Sequence, residues 1–258
     1  MTALYCMGDS FVFGMEIFGD SNREERNKEM SFPRYVANAL DCDTYINSAY
    51  NGATNEFIFK TTISDLIELE KTHIDPKDTF VIVGWTSLVR TEVDAEGFYS
   101  CNPFSNPSEI QKELERFTQS PEAVDHGVQF ISPFLEILIT HEKGKKHTDL
   151  GDFVLPWLTR FLWTDKVMIP AQQARMAALE GFLKSRGYRY VFVATCGDYS
   201  FPLLEESKHY FWPDEKTFHN YALRHYPAHQ RAEQHFSAAP HNGFGELLVD
   251  YITKNNLY

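Results

Sequence analysis

The run Thr79-Phe80-Val81-Ile82-Val83-Gly84 constrains the architecture more than any other stretch of this chain. It is apolar and β-branched with no alternating polar face, which suits a strand covered on both sides, as in the middle of a parallel sheet. Ala3 to Met7 and Tyr188 to Thr195 have the same character, Thr44-Tyr45-Ile46 reads as a short strand, and His209 to Trp212 as a weaker one. Between them lie helical patterns. Ser31-Phe32-Pro33 opens one with a capping serine and an early proline, its apolar face formed by Tyr35, Val36 and Leu40. A second carries Phe57, Ile58, Ile63, Leu66, Ile67 and Leu69 to about Lys71; a third runs from Pro170 to Ser185 and ends at Gly187; a closing one carries Phe244, Leu247, Leu248, Tyr251 and Ile252. Residues 18–30 read as a solvated loop.

Strand, helix, strand, helix, strand in that order implies a parallel sheet with right-handed crossovers. The expected fold is α/β, three layers (α/β/α), with a parallel sheet of about five strands. From Trp85 to about Asp165 the pattern changes: residues 100–107 are loop-like, and helices are expected over 108–117, 127–142 and 150–164. That exceeds one crossover, so the chain reads as a single α/β domain over 1–258 with a helical insertion or cap at about 88–165.

Composition excludes more than it selects. A formal net charge of −12 leaves no basic face for nucleic acid or an anionic membrane. Cys6, Cys42, Cys101 and Cys196 are widely spaced, with no Cys-x-x-Cys pair, so a disulfide framework and a zinc ribbon are not expected. No apolar run reaches membrane-spanning length, and a cytoplasmic protein without cofactor is expected.

Ligands of open parallel sheets bind where strands end at the carboxyl edge. Here those ends are Gly8-Asp9-Ser10, the turn-rich stretch Asn47 to Asn55, and Gly84-Trp85-Thr86-Ser87; Ser237-Ala-Ala-Pro-His241 precedes the closing helix. Ser10, between a strand and a helix, lies where backbone N–H groups stabilise developing negative charge, and His241 is of the type that serves as its base. Asp9 reads as the hydrogen-bonding hub of that turn, and Trp85 as a packing residue.

These blocks, in this order, resemble the SGNH (GDSL-type) esterase and lipase superfamily, with its flavodoxin-like fold. Gly8-Asp9-Ser10 matches the first block, Gly52 within Asn51-Gly52-Ala53-Thr54-Asn55 the second, Gly84-Trp85-Thr86 the third and His241 the fifth. The third block also resembles that of small SGNH-like proteins encoded by tailed phages. The resemblance implies an ester hydrolase, of esterase or deacetylase type, acting on a small-molecule or carbohydrate ester. In that assignment Ser10 is the nucleophile and His241 the general base. The oxyanion hole comprises Ser10 and Gly52 N–H groups with the Thr86 side chain, supported by Asp9, Asn51, Asn55 and Trp85.

Two positions depart from the pattern. The family's third-block Asn is Thr86, and the Asp three residues before the histidine is Ala238. Glu233 and Glu206 are the substitutes considered for that acid, and Glu206 with His209 is a rival pair. The alternative function is a non-catalytic SGNH-like binding or assembly protein that has lost the catalytic acid. Six of the ten histidines fall between His209 and His241, and His225 and His229 are four apart, but neither carries an acid or cysteine at ligand spacing, so no metal is expected.

Overall fold

The computed structural model describes residues 2–18, 25–72, 74–88, 91–94, 98–101, 128–131, 136–139, 165–197, 207–211, 217–227 and 235–258. The chain forms two compact units, Met1–Ser87 with Arg175–Tyr258, and Leu88–Ala174.

The first unit is built on five parallel strands, β1 (Ala3–Met7), β2 (Thr44–Asn47), β3 (Thr79–Trp85), β8 (Arg189–Ala194) and β9 (Tyr210–Phe211), in the spatial order β2-β1-β3-β8-β9. Both β1 and β3 are buried throughout, as their unbroken apolar runs require. Period-two alternation then divides the sheet's side chains between two helical layers. Leu4, Cys6, Phe80, Ile82, Val191 and Val193 face a core shared with α2 (Phe32–Ala39), α5 (Phe218–His225) and α6 (Ala238–Lys254), through Val36, Phe218, Phe244, Leu248 and Ile252. On the opposite face, the Tyr5 hydroxyl donates to Asp65 of α3 (Asn55–Lys71) at 3.0 Å, and the Tyr190 hydroxyl to Glu180 of α4 (Asp165–Arg186) at 2.8 Å. The result is the three-layer α/β fold with a five-stranded parallel sheet.

One turn of helix, α1 (Ser10–Phe13), follows β1 and is closed by Gly14 in the left-handed region. Strand order reverses between β1 and β3, which makes their carboxyl ends the topological switch point of the sheet. Close packing there depends on two glycines. A Cβ on Gly8 or on Gly84 would collide with the Val12 side chain, and one on Gly84 would also come within 2.9 Å of Thr195 Cγ2. Gly8 and Gly84 are thus what let α1 lie directly over the ends of β1 and β3.

The second unit contains two antiparallel pairs, β4 (Thr91–Asp94) with β5 (Phe98–Cys101), and β6 (Val128–Ile131) with β7 (Glu136–Ile139). The helix expected over 127–142 is therefore corrected to strands. Pro133 divides the stretch into two short runs, and Val128, Ile131, Ile137 and Ile139 are β-branched residues that pair more readily than they helicise. The start of the loop expected over 100–107 belongs to β5; its remainder and the helices expected over 108–117 and 150–164 lie outside the described residues.

Three further boundaries shift. Part of the expected 18–30 loop is a 3-10 helix, Glu25–Met30; α4 begins before Pro170; and the closing helix starts at Ala238, which puts His241 inside its first turn. No helix among the described residues is long and apolar enough to cross a membrane.

Candidate active site

Asp9 organises the switch point. It caps α1, with Oδ1 accepting from Phe11 N–H at 3.1 Å. Its Oδ2 accepts from the hydroxyls of Thr86 (2.8 Å) and Thr195 (2.9 Å), and Cys196 Sγ lies 3.8 Å away. The carboxylate is fully buried, and hydrogen bonds from the residues that follow β3 and β8 offset its desolvation. One side chain thereby ties together the ends of β1, β3 and β8. Thr195 and Cys196 were not singled out from sequence. Thr195 ends an apolar run as Ser10 and Thr86 do, and the same strand-end argument would have reached it.

Thr86 belongs to this hub. Its hydroxyl proton is directed to Asp9, and Cys196 Sγ is 3.3 Å from its oxygen. In this arrangement it is not available to an oxyanion. Asn55 clamps the same residue from the other side: its Oδ1 accepts from Thr86 N–H at 2.9 Å, while its Nδ2 donates to the carbonyls of Thr86 (3.0 Å) and Ser87 (3.4 Å). The pair imitates one rung of a sheet and fixes the loop after β3 to the start of α3. Gly52 turns the preceding loop at φ 77°, a left-handed conformation that a side chain would strain. Asn51 is buried beside it, and its Nδ2 makes no hydrogen bond among the described residues. Trp85 is a packing residue, buried edge-on to Phe192 at 5.7 Å between ring centres.

Ser10 is where the sequence places it, the first residue of α1, buried at 1% exposure. Its expected partner is wired differently. His241 Nδ1 accepts from Phe32 N–H at 3.3 Å, and among the described residues its Nε2 makes no hydrogen bond, to Ser10 Oγ or to any other group. Phe32 is the first helical residue of α2, whose cap residue Ser31 turns its own hydroxyl to Lys28 O at 2.8 Å. His241 thus substitutes for the missing side-chain cap of α2. An Nδ1 that accepts leaves the proton on Nε2, the opposite tautomer from that of a base acting through Nε2. The ring lies among Phe32 and Phe218, and burial, reinforced by nearby His235, holds its pKa down to about 3.

Of the rival groups, Glu206 and Glu233 lie outside the described residues. His209 is a structural residue of the β9 edge, its Nδ1 3.0 Å from Tyr190 O and its ring stacked on Tyr190 at 4.2 Å. His225 packs on Tyr221 at 4.8 Å, and His229 is outside the described residues. Among the described residues no three His, Cys, Asp or Glu side chains gather as metal ligands.

No protein-family model matches the chain, and no curated protein matches it. Among solved structures it is similar to a proposed lipolytic protein of the G-D-S-L family from Desulfitobacterium hafniense DCB-2, at 12% identity and a TM-score of 0.48 over 97% of this chain and 99% of that one. It is also similar to a carbohydrate esterase (14% identity, TM-score 0.43, 98% of this chain and 68% of that one). A third is the psychrotrophic esterase EstA from Pseudoalteromonas sp. (11% identity, TM-score 0.44, 98% of each chain).

Proposed function

We propose that the chain is a serine-dependent ester hydrolase of the SGNH type, acting on a small-molecule or carbohydrate ester through an acyl-enzyme on Ser10. The observation that carries this reading is the position of Ser10, at the head of α1 and the carboxyl end of β1, beside the switch point of a five-stranded parallel sheet. Ser10 Oγ attacks the ester carbonyl carbon, its proton passes to an imidazole, and the alcohol leaves with that proton. The N–H groups of Ser10 and Gly52 hold the oxyanion; a donor of this kind contributes about 3–4 kcal/mol in the transition state. Thr86 and Asn55 act indirectly, by fixing the Gly8-Asp9-Ser10 turn through Asp9.

A second reading is a binding or assembly protein that keeps the fold without turnover. The engagement of His241 Nδ1 by Phe32 N–H, together with Ala238 in the acid's place, favours it. A fluorophosphonate probe and short-chain p-nitrophenyl esters separate the two. Labelling and turnover by the wild type, both abolished in Ser10→Ala, are the expected result. A folded wild type that neither labels nor turns over ester would sink the hydrolase and leave the binding protein.

A further inference from the structure

We infer that the catalytic base is His235, oriented by Glu16, and not His241. This rests on the reading of Ser10 as an ester-hydrolysing nucleophile. Glu16 Oε2 accepts from the backbone N–H of His235 at 3.0 Å and lies 3.4 Å from its Nδ1, a close pairing although not aligned as a hydrogen bond to the ring. Both side chains are largely withdrawn from solvent, at 8% exposure for Glu16 and 10% for His235. The imidazole therefore has a buried carboxylate on its Nδ1 side, which is the partner that Ala238 cannot supply to His241. A carboxylate there favours the Nδ1–H tautomer and leaves Nε2 as the proton acceptor.

The couple is tied to the short helix that begins at the nucleophile. Glu16 follows Gly14, the residue that closes α1, and Met15 N–H donates to Ser10 O at 2.9 Å. The His235 ring is 5.2 Å from that of Phe11, the residue after Ser10. Glu16 has φ 63°, a left-handed conformation that a residue with a side chain holds only when its surroundings demand it. Its hydrogen bond from His235 N–H, made across most of the chain's length, is such a demand. His241 has none of these features: its Nδ1 is taken by a backbone donor and its ring is walled by aromatic side chains.

In the first half-reaction His235 Nε2 takes the Ser10 Oγ proton as the Oγ–acyl bond forms, Glu16 stabilises the imidazolium, and the proton goes to the departing alkoxide as its C–O bond breaks. In the second, water gives a proton to His235 and its hydroxide to the acyl carbon; the proton returns to Ser10 Oγ as the acid leaves. His235 is the base, and Glu16 a positioning residue.

The test is the rate of fluorophosphonate labelling and of p-nitrophenyl acetate turnover in the full chain, for wild type, Ser10→Ala, His235→Ala, Glu16→Gln, Glu16→Asp and His241→Gln, with circular dichroism and Tm for each. His235→Ala is expected to lose about 10²–10⁴-fold in rate and to recover part of it when imidazole is added to the buffer. Glu16→Gln should lose rate and Glu16→Asp retain more of it, while folded His241→Gln stays active. A wild type that does not label sinks the hydrolase reading and this inference with it. A labelled wild type with His235→Ala unchanged, or inactive beyond imidazole rescue with a lowered Tm, overturns the inference alone and reduces the pair to a structural tie.

Discussion

Asp9 Oδ2 accepts from the hydroxyls of Thr86 and Thr195, each just past the end of a strand, while Oδ1 accepts a helix N-terminal N–H, so the isosteric Asn, with a single acceptor oxygen, does not replace it. Asp9→Ala takes the acceptor from two buried donors, Phe11 N–H and the Thr86 hydroxyl, while the Thr195 hydroxyl keeps Trp85 O at 3.0 Å. At about 1–3 kcal/mol for each unsatisfied group, and with partial rearrangement, a loss of roughly 3–5 kcal/mol is expected in denaturant unfolding. A loss under about 1 kcal/mol would mean that the hub does not hold the strand ends together.

His241 yields a pH prediction. Its folded-state pKa, about 3, is below the unfolded value near 6.5, so the unfolded chain takes up a proton first as pH falls. The neutral ring's contribution is therefore complete above pH 6.5 and declines from there down to about 3, at up to about 1.4 kcal/mol per pH unit. NMR of the ring is the direct check: its shifts should not titrate between pH 7 and 4, whereas a midpoint near 6.5 would contradict the burial. At this scale the sequence identifies residue types better than their partners. Gly8-Asp9-Ser10 was legible because a strand end meets a cap within three residues. Glu16 and His235 were not, because their pairing spans the chain and neither belongs to a local motif. The partner of His241 was illegible for the same reason, since the N–H that its Nδ1 accepts comes from the distant Phe32.

Among the elements, the contact between the loop after β3 and the start of α3 rests on one side chain. Asn55 supplies both members of the two-way pair with Thr86, in a buried setting. Asn55→Ala is expected to cost about 2–4 kcal/mol and to lower any Ser10-dependent activity. Asn55→Asp should be worse, because it keeps the acceptor but replaces the donor with a buried charge. A stability within about 0.5 kcal/mol of wild type would show that the loop holds without the clamp. Gly84→Ala tests the packing of α1 on the sheet: its methyl meets Val12 and Thr195, and overpacking of this kind costs about 1–3 kcal/mol. Unchanged unfolding of that variant would mean that α1 yields at no cost. Strands buried on both faces were the most legible elements, since β1, β3 and β8 admit no polar alternation. Residues 127–142 misled because short apolar runs satisfy helix and strand patterns alike until pairing decides between them.

For the molecule as a whole, the discontinuity of the first unit invites a direct experiment. Its sheet, and every buried residue of its main core cluster among the described residues, come from Met1–Ser87 and Arg175–Tyr258. The two cut ends are also close. Asn55 Nδ2 is 3.4 Å from Ser87 O, and the adjacent Glu56 is 3.6 Å from the Arg175 guanidinium. A Gly/Ser linker of about 12 residues has a root-mean-square span of roughly 20 Å, enough to join them. Loop-closure entropy changes by only about 0.6 kcal/mol for each halving of loop length, so replacing residues 88–174 by that linker makes closure slightly easier. What is lost is the start of α4; its Met176, Leu179 and Leu183, buried in the first unit, remain. We propose on this basis that residues 88–174 are an insertion into a self-sufficient α/β domain. The linker variant is expected to unfold cooperatively in urea with the far-ultraviolet spectrum of an α/β protein. A non-cooperative transition, or aggregation under conditions where the whole chain is monodisperse, would show that the five-stranded unit depends on the inserted one.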